Sequence, residues 1–273
     1  MLAPQPPPLN STRPSVDTYL KRMIDIHSHI LPGFDDGAPS TEEAIEMLRM
    51  AAAAGTTDIV ASSHSNAEFA FDPVRAARSI AELQQAAPDI PRIHYGCELH
   101  FTLENVEAVL RSPETWSINH RGYVLIEFSD FVIPKTSGKI LARLADAGTP
   151  PILVHPERNP ILQKDPSGLE PWIRQGSFIQ VTVQSLLGRF GRRAMAAAEY
   201  LLDRGMVHFL ASDAHDVKDR PPLLTEGWQF VEERFGTETA ERLLIANPQA
   251  ILSGAPIHCD EARVRRKAWY SLR

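Results

Sequence analysis

Two histidines separated by one residue follow the first apolar segment of the chain. Over residues 23–29, an extended backbone would place the side chains of Asp25, His27 and His29 on the same face. Two imidazoles on one face at the end of a strand can hold a metal ion. Taken alone, the pair is equally consistent with two hydrogen-bonded surface histidines, so the interpretation depends on whether further ligands come from elsewhere in the chain.

Later segments end in side chains of the same kinds. Short apolar segments rich in β-branched residues predict six more strands, over residues 57–62, 92–98, 122–128, 151–155, 177–183 and 207–211. The polar residues at or just after the ends of these strands, with one in the loop after the first strand, are Asp36, His64, Glu98, Glu127, His155, Asp213 and His215. The sixth strand has no obvious ligand, although Gln180 and Thr182 lie on its line.

Helical segments separate these strands. Ser40 and Glu43 form a capping box that starts the first helix, and Asp72-Pro73 starts the second. Further helices are predicted over residues 104–110, 137–147, 169–175, 192–204, 222–235 and 238–246. The alternation predicts a parallel α/β fold, either a closed or distorted barrel or a doubly wound sheet. In a barrel the carboxyl ends of the strands converge, so the nine polar residues would share one mouth.

Nine ligands are too many for a single ion, and they suit two or three ions bridged by carboxylates. Four of the nine are carboxylates, so three divalent ions would leave a charge of about +2 if the histidines are neutral. Such an excess suits a dianionic phosphate ester. The mixture of imidazole and carboxylate favours manganese, iron or zinc over magnesium or calcium.

Two arginines support the phosphate interpretation. Arg158 lies three residues after His155, and Arg220 lies five residues after His215. A guanidinium group can bind two phosphate oxygens through parallel hydrogen bonds. The alternative for each arginine is an ordinary surface ion pair.

The remaining histidines are expected to be structural or exposed to solvent. His94 and His208 lie early in predicted strands, at the end opposite the mouth. His100, His120 and His258 are expected in loops or near the tail.

The bulk composition excludes several classes of function. The net charge of −6 argues against a general nucleic-acid binder. Cys97 and Cys259 fit no zinc or redox spacing, which suits a reducing compartment. No apolar run approaches the roughly 18 residues that a membrane span needs.

The two ends of the sequence differ from its centre. Residues 1–22 are rich in proline and contain no apolar segment typical of a signal peptide, so we expect a disordered leader, with Met23 as a candidate translation start. A single domain is expected to span residues 23–256. Residues 257–273 form a basic tail that could contact anionic lipid or an acidic partner, although a solvated terminus is the simpler expectation.

Several motifs together resemble one known family. They are His27-Ser28-His29, the segment from Leu31 to Gly37, Gly96-Cys97-Glu98, the segment from Leu125 to Ser129, the segment from His155 to Arg158, and the segment from Ala211 to His215. In this order they resemble the polymerase and histidinol phosphatase (PHP) superfamily, most closely the bacterial CpsB/CapC-type protein-tyrosine phosphatases. Many relatives have a histidine or basic residue where this chain has Ser65, which bears on substrate contacts there.

The resemblance implies a distorted (β/α)7 TIM-like barrel and a phosphatase that uses three divalent ions, usually manganese. One ion would be held by His27, His29, Glu98 and Asp213, a second by Glu98, Glu127 and His155, and a third by Asp36, His64 and His215. Arg158 and Arg220 match the phosphate-binding arginines of the family. The expected reaction is metal-assisted attack of water on phosphorus, for which Asp213 and His215 are candidate proton donors.

The resemblance also implies a cytoplasmic setting and a partner. The expected substrate is a phosphotyrosine-bearing protein, the C-terminal tail of a tyrosine autokinase of capsule or exopolysaccharide synthesis. Contact with the membrane would come only through this partner, and the oligomeric state stays open.

Other functions remain as alternatives. The same barrel could serve a small-molecule phosphatase resembling histidinol phosphatase, or a non-catalytic, metal-stabilised protein that binds a partner. A nuclease role exists in the superfamily but fits the acidic composition poorly. The segment from His258 to Arg265 has the His-Cys-x5-Arg spacing of cysteine-dependent tyrosine phosphatases, but it lacks glycine and has two acidic residues where an anion would bind, so we reject it.

Overall fold

The computed structural model describes residues 22–257 of the chain. The expected leader, apart from Arg22, lies outside the described residues, as do the basic tail from residue 258 onward and the rejected segment from His258 to Arg265. None of the described helices is both long and apolar enough to span a membrane.

The strands form two parallel sheets. In chain order the described strands are β1 (Met23–Ser28), β2 (Thr56–Ala61), β3 (His64–Ser65), β4 (Arg92–Tyr95), β5 (Glu98–His100), β6 (Val124–Glu127), β7 (Pro151–Val154), β8 (Phe178–Thr182) and β9 (Phe209–Ala211). One sheet has the order β1-β2-β4, and the other has the order β3-β5-β6-β7-β8-β9. The predicted parallel α/β architecture is therefore confirmed.

The predicted third strand is divided in two. We expected a continuous strand over residues 92–98, which was wrong, whereas the strand expected over residues 57–62 is confirmed as β2, with the short β3 after it. At Gly96, between β4 and β5, an added Cβ would lie 2.5 Å from Cγ1 of Val60. The backbone therefore passes so close to β2 that only glycine fits, and the strand is interrupted there.

The helices alternate with the strands. They are α1 (Thr41–Ala53), α2 (Pro73–Ala86), α3 (Leu103–Arg111), α4 (Pro113–Trp116), α5 (Ser137–Asp146), α6 (Glu170–Arg174), α7 (Val183–Leu186), α8 (Gly191–Asp203), α9 (Thr225–Phe235), α10 (Thr237–Glu241) and α11 (Asn247–Ser253), with a π-helical turn over Arg242–Ala246 before the last. The side chains of Ser40 and Asp72 cap α1 and α2 as predicted. The sequence did not predict α4, α7 or α11, and α7 begins at Val183, where a strand residue was expected.

The buried apolar side chains divide into two groups. The larger group lies between the sheets and the helices and includes Met47 and Leu48 of α1. The smaller group takes alternate residues of several strands and consists mainly of Ile24, Ile26, Val60, Leu125, Ile152, Val154, Phe209 and Ala211. Since alternate residues share one face of a strand, these side chains lie on one face of their strands and pack against each other.

Candidate metal centre

His27 lies in β1 and His29 lies just after it, and their imidazole rings face each other at the carboxyl end of the strand. Their Nε2 atoms lie 3.2 Å apart, and both side chains are fully buried. Nδ1 of His27 lies 3.0 Å from Oε1 of Gln180, and Nδ1 of His29 lies 2.9 Å from Oδ2 of Asp35. Because both partners are acceptors, each Nδ1 donates a hydrogen bond, which leaves the two Nε2 atoms to share positive charge, either a proton or a metal ion.

Two carboxylates complete this arrangement. Oε2 of Glu98 lies 3.3 and 3.2 Å from the Nε2 atoms of His27 and His29, and Oδ1 of Asp213 lies 3.4 Å from each. Oε2 of Glu98 is buried and has no hydrogen bond of good geometry among the described residues, although imidazole nitrogens surround it. A buried carboxylate oxygen without a hydrogen bond, among imidazole lone pairs, is the donor set that a divalent cation fits.

The other predicted ligands adjoin this group. Nε2 of His155 lies 2.9 Å from Oε1 of Glu98 and 3.9 Å from Oε1 of Glu127. On the opposite side, Oδ1 of Asp36 lies 3.4 Å from His64 Nε2 and 3.5 Å from His215 Nε2. All nine residues predicted from the sequence therefore meet at one place.

Four overlapping groups of side chains have ligand atoms close enough to share one ion. They are His29, Asp36, His64 and His215; His27, His29 and Glu98; His27, His155 and Asp213; and His64, Glu98 and Glu127. The first contains the trio expected for a third ion and adds His29. Glu127 is grouped with His64, whereas the resemblance pairs it with His155. The division of the nine residues among individual ions stays a prediction.

The electrostatics of the cluster favour ionised carboxylates. Burial alone would raise the pKa of Glu98, but the imidazoles of His27 and His64 hold it well below its usual value. Burial would likewise raise the pKa of Asp213, and Arg158, His27 and Arg220 hold it well below its usual value. Burial would lower the pKa of His64, which Glu98 and Asp36 nevertheless raise to about 10. The centre therefore attracts positive charge, either as protons or as metal ions.

The backbone at two of the predicted ligands has an unusual conformation. His155 has a φ of 35° and Asp213 a φ of 52°, values that side-chain-bearing residues rarely adopt. The N–H of Asp213 donates to the carbonyl of His27 at 2.9 Å, and the N–H of Ser212 donates to Asp25 Oδ1 at 3.0 Å. These bonds join β1 to the end of β9 and hold the backbone where Asp213 reaches the cluster.

Both predicted arginines reach the same carboxylate oxygen. Nη1 of Arg158 and Nη2 of Arg220 donate to Oδ2 of Asp213, the second of them at 2.6 Å. Because Asp213 is buried within the cluster, neither arginine forms the ordinary surface ion pair that was the alternative. A cleft beside Glu127 and His155 leads to Arg158. Two guanidinium groups beside four carboxylates and five imidazoles form a site suited to a phosphoryl group next to metal ions.

Four supporting residues were not assigned a role from the sequence. Asp35 and Gln180 orient His29 and His27, Asp25 holds the backbone of Ser212, and Glu157 accepts hydrogen bonds from Thr182 N and Ser185 Oγ at 3.0 and 2.7 Å. Burial raises the pKa of Asp25 to about 6. The alternation of β1 already placed Asp25 on the face of His27, and Gln180 lay on the line of its strand, so both gave a sequence signal. Asp35 and Glu157 lie within motifs that carry the family resemblance, but nothing in the sequence indicated their hydrogen-bond partners.

Two of the histidines that were set aside lie apart from the cluster. Nε2 of His94 lies 2.7 Å from Asp58 Oδ1, and Nδ1 of His208 accepts a hydrogen bond from the N–H of Ile179 at 3.1 Å. His100 was expected in a loop, which was wrong. It is the last residue of β5, and its Nδ1 lies 3.5 Å from Oε2 of Glu127, at the edge of the cluster.

His120 and His258 are the other two. His120 ends a 3-10 turn, and its Nδ1 donates to the carbonyl of Glu114 at 2.7 Å. His258 lies outside the described residues.

Comparisons with known proteins give consistent results. A family model described as capsular polysaccharide synthesis, CpsB/CapC, matches residues 23–253. The tyrosine-protein phosphatase YwqE of Bacillus subtilis is 36% identical to this chain, over 81% of the chain and 91% of YwqE. The tyrosine-protein phosphatase CpsB of Streptococcus pneumoniae is 29% identical, over 84% of the chain and 98% of CpsB.

A solved structure extends the similarity to three dimensions. It is one of the crystal structures of YwqE from Bacillus subtilis and CpsB from Streptococcus pneumoniae, which are described as unique metal-dependent tyrosine phosphatases. It superposes on this chain with a TM-score of 0.81 at 34% sequence identity, covering 87% of this chain and 97% of that one.

Proposed function

The chain belongs to the CpsB/CapC family of capsular polysaccharide synthesis, and we propose that it is a metal-dependent phosphatase that removes phosphate from tyrosine residues of a protein. The observation that carries this proposal is the meeting of two arginines on Asp213, beside overlapping groups of metal-binding side chains. The phosphatases that the chain resembles are named for the same reaction.

The two sheets are proposed to be parts of one distorted (β/α)7 barrel. Strand β2 continues into β3 and β4 continues into β5, so each pair counts as one strand that bends from one sheet into the other. A parallel bridge between Ser28 and Ala214 connects β1 to the end of β9. The apolar group built from alternate strand residues would then be the barrel interior, and the candidate metal centre would lie at its carboxyl end.

The cluster is proposed to hold three divalent ions, with manganese as the main candidate and iron and zinc as alternatives. Its ligands are those predicted from the sequence: His27, His29, Asp36, His64, Glu98, Glu127, His155, Asp213 and His215. When bound, such ions supply Lewis acidity and lower the pKa of water toward neutrality. The buried Glu98 oxygen without a good hydrogen bond supports this set.

The protein's own residues would bind and orient the phosphoryl group. Arg158 and Arg220 each give Asp213 one of five N–H donors, and the remaining donors would neutralise charge that develops on the phosphoryl oxygens. Asp213 holds the two guanidinium groups together. The leaving phenolate has a pKa of about 10, so expulsion of tyrosine demands little of a proton donor. Of the two candidates, Asp213 and His215, Asp213 is the weaker, because both arginines help to hold its pKa well below its usual value.

The partner and location are proposed from the family. The substrate would be the phosphorylated C-terminal tail of a tyrosine autokinase that acts in capsule or exopolysaccharide synthesis, in the cytoplasm. The net charge of −6 makes nucleic acid a poor ligand.

The test is a comparison of phosphatase activity with and without metal. Protein treated with EDTA and refilled with manganese should release phosphate from a phosphotyrosine peptide, and the EDTA-treated sample should not. Preference for histidinol phosphate over the peptide would instead support a small-molecule phosphatase. Tight binding of the peptide without turnover would support a partner-binding protein.

A further inference from the structure

The strand that contributes no predicted metal ligand lies at the centre of a network that supports the two arginines. Strand β8 ends at Thr182 and continues directly into α7, a single buried turn. Glu157, next to Arg158, accepts hydrogen bonds from Thr182 N and Ser185 Oγ at the start of this turn. The loop that carries Arg158 is therefore fixed to α7.

The loop that carries Arg220 is attached to the same turn. The side-chain amide of Gln184 donates to the carbonyl of Asp219 at 3.4 Å. The carbonyl of Gln184 accepts from the N–H of Arg189 at 3.0 Å, within the loop that follows α7. One short helix thus sets the positions of both arginine loops and of its own exit loop.

Phe190 in that exit loop lies beneath both guanidinium groups. The central carbon of Arg158 lies 4.7 Å from the centre of the Phe190 ring, and that of Arg220 lies 5.9 Å from it. Gly188 and Gly191, with φ values of 74° and 86°, form the bends on either side of the residue. A cation within about 6 Å of a ring face is attracted by the ring quadrupole, so the ring favours both arginines at this place.

Asp213 alone leaves the orientation of the guanidinium groups incompletely defined. Each arginine gives it one N–H donor of five, and Nε of Arg220 is buried with no hydrogen-bond partner among the described residues. A single bond to one oxygen allows a guanidinium plane to rotate, whereas a ring beneath the plane restricts it.

We propose that Phe190 is a positioning residue whose ring holds Arg158 and Arg220 so that their free N–H groups converge on one phosphoryl group. This inference rests on the proposed phosphatase function. It assigns to the strand without a ligand a role of its own, which is to support the anion-binding arginines.

The experiment compares Phe190→Leu with Phe190→Tyr in manganese-loaded protein. Calorimetric titration with inorganic phosphate measures anion affinity, and p-nitrophenyl phosphate gives KM and kcat. Loss of the ring should weaken phosphate affinity and raise KM by about tenfold, while the tyrosine variant, which keeps the ring, should stay within about twofold of wild type. Phe230→Leu is the matched control, because Phe230 lies beneath Arg234 outside the site, and it should change neither value.

A second comparison, in protein that already carries an arginine substitution, tests whether Phe190 acts through the arginines or contacts the phosphate directly. If Phe190 acts through both arginines, Phe190→Leu should have a smaller effect in protein that already carries Arg158→Met, and little further effect in protein that carries both Arg158→Met and Arg220→Met. An equal loss in wild-type protein and in the double arginine variant, or wild-type affinity in Phe190→Leu, would overturn the proposal. If Phe190→Leu fails to fold, Phe190→Met fills a similar volume without a ring, and the same two outcomes decide.

The design also separates this inference from the function on which it rests. Wild-type protein that binds phosphate but hydrolyses no phosphomonoester would contradict the proposed function. The affinities of the variants for phosphate would still decide the role of Phe190.

Discussion

Gln180 of β8 and His27 of β1 are joined by a buried hydrogen bond, with 3.0 Å between Oε1 and Nδ1. The bond fixes which nitrogen of His27 carries the proton and leaves Nε2 directed at Nε2 of His29. A side chain from the strand without a ligand therefore prepares a ligand of the first strand.

Replacing Gln180 with leucine should weaken metal binding more than it weakens the fold. Without the acceptor, His27 can change tautomer or rotate. Loss of a residue that hydrogen-bonds to a metal-ligating histidine typically lowers metal affinity about 10- to 100-fold, and we expect a loss of this size here. Competition with a fluorescent chelator measures the affinity directly. Thr182→Val is the matched control, because its buried hydroxyl has no hydrogen-bond partner among the described residues. Equal affinities for wild type and Gln180→Leu would show that His27 needs no such partner.

The sequence located the candidate ligands because they follow a simple rule. His64, Glu98 and Glu127 each lie at or near the end of an apolar strand, and parallel strands bring such ends together. The supporting residues obey no comparable rule. Glu157 accepts from Thr182 N and Ser185 Oγ, and Asp35 accepts from His64 N as well as contacting His29. The contacts to Thr182, Ser185 and His64 appear only once the chain is folded.

The elements that the sequence missed have a similar explanation. The turn α7 is too short for helical periodicity to be visible in the sequence. The interruption between β4 and β5 depends on the approach of Gly96 to Val60, 36 positions away, which no local pattern predicts.

Removing metal should lower the thermal stability of the protein. The buried carboxylates and imidazoles bind cations in the folded state alone, so ions at 100 times their dissociation constant would add about 2.7 kcal/mol per site. Differential scanning calorimetry with manganese and with EDTA should give clearly different Tm values. Asp36→Asn should reduce this difference, since Asp36 lies on the solvent side of the cluster and its substitution disturbs the fold little. An unchanged Tm after EDTA treatment would count against a metal centre.

Replacing Asp213 or His155 with alanine should reduce turnover by orders of magnitude. Asp213 joins the imidazoles of His27 and His29 to both arginines, and His155 contacts Glu98. The far-ultraviolet circular dichroism of both variants should match wild type. Near-normal turnover in either variant, after EDTA treatment and refilling with manganese, would refute the assignment of the site. His94→Ala, at a histidine bound to Asp58, is the control and should retain activity.

His208 should make the fold less stable in mild acid. Burial, with the nearby Arg242, lowers the pKa of His208 from 6.5 to about 4, and Nδ1 must stay unprotonated to accept from Ile179. In the unfolded chain His208 becomes protonated below about pH 6.5, whereas in the folded chain it becomes protonated only near pH 4. The unfolding free energy therefore falls as the pH falls through this window. The loss from pH 7 to pH 4 should be about 3 kcal/mol.

The comparison that isolates this effect uses His208→Asn, whose side-chain oxygen can accept from Ile179 at the position of Nδ1. Urea unfolding of the metal-free wild type and variant at several pH values gives, for each protein, the slope of the unfolding free energy against pH. The variant should lose less stability with acid than wild type. Identical slopes would show that His208 does not titrate in this way.

Gly37 should tolerate no side chain, because the loop that carries Asp36 turns back tightly on β1. An added Cβ would lie 2.0 Å from the carbonyl oxygen of His29, which accepts a hydrogen bond from Ala38 N at 3.0 Å. Gly37→Ala must push the loop away, which should break that bond, cost about 1–3 kcal/mol of unfolding free energy and displace Asp36 from His64 and His215. Gly168→Ala is the control, because nothing lies within 4 Å of its added Cβ. The free energy of unfolding in urea and the metal content, measured on both variants, should fall below wild type in Gly37→Ala alone. Equal values in the two variants would mean that the loop adapts without moving Asp36.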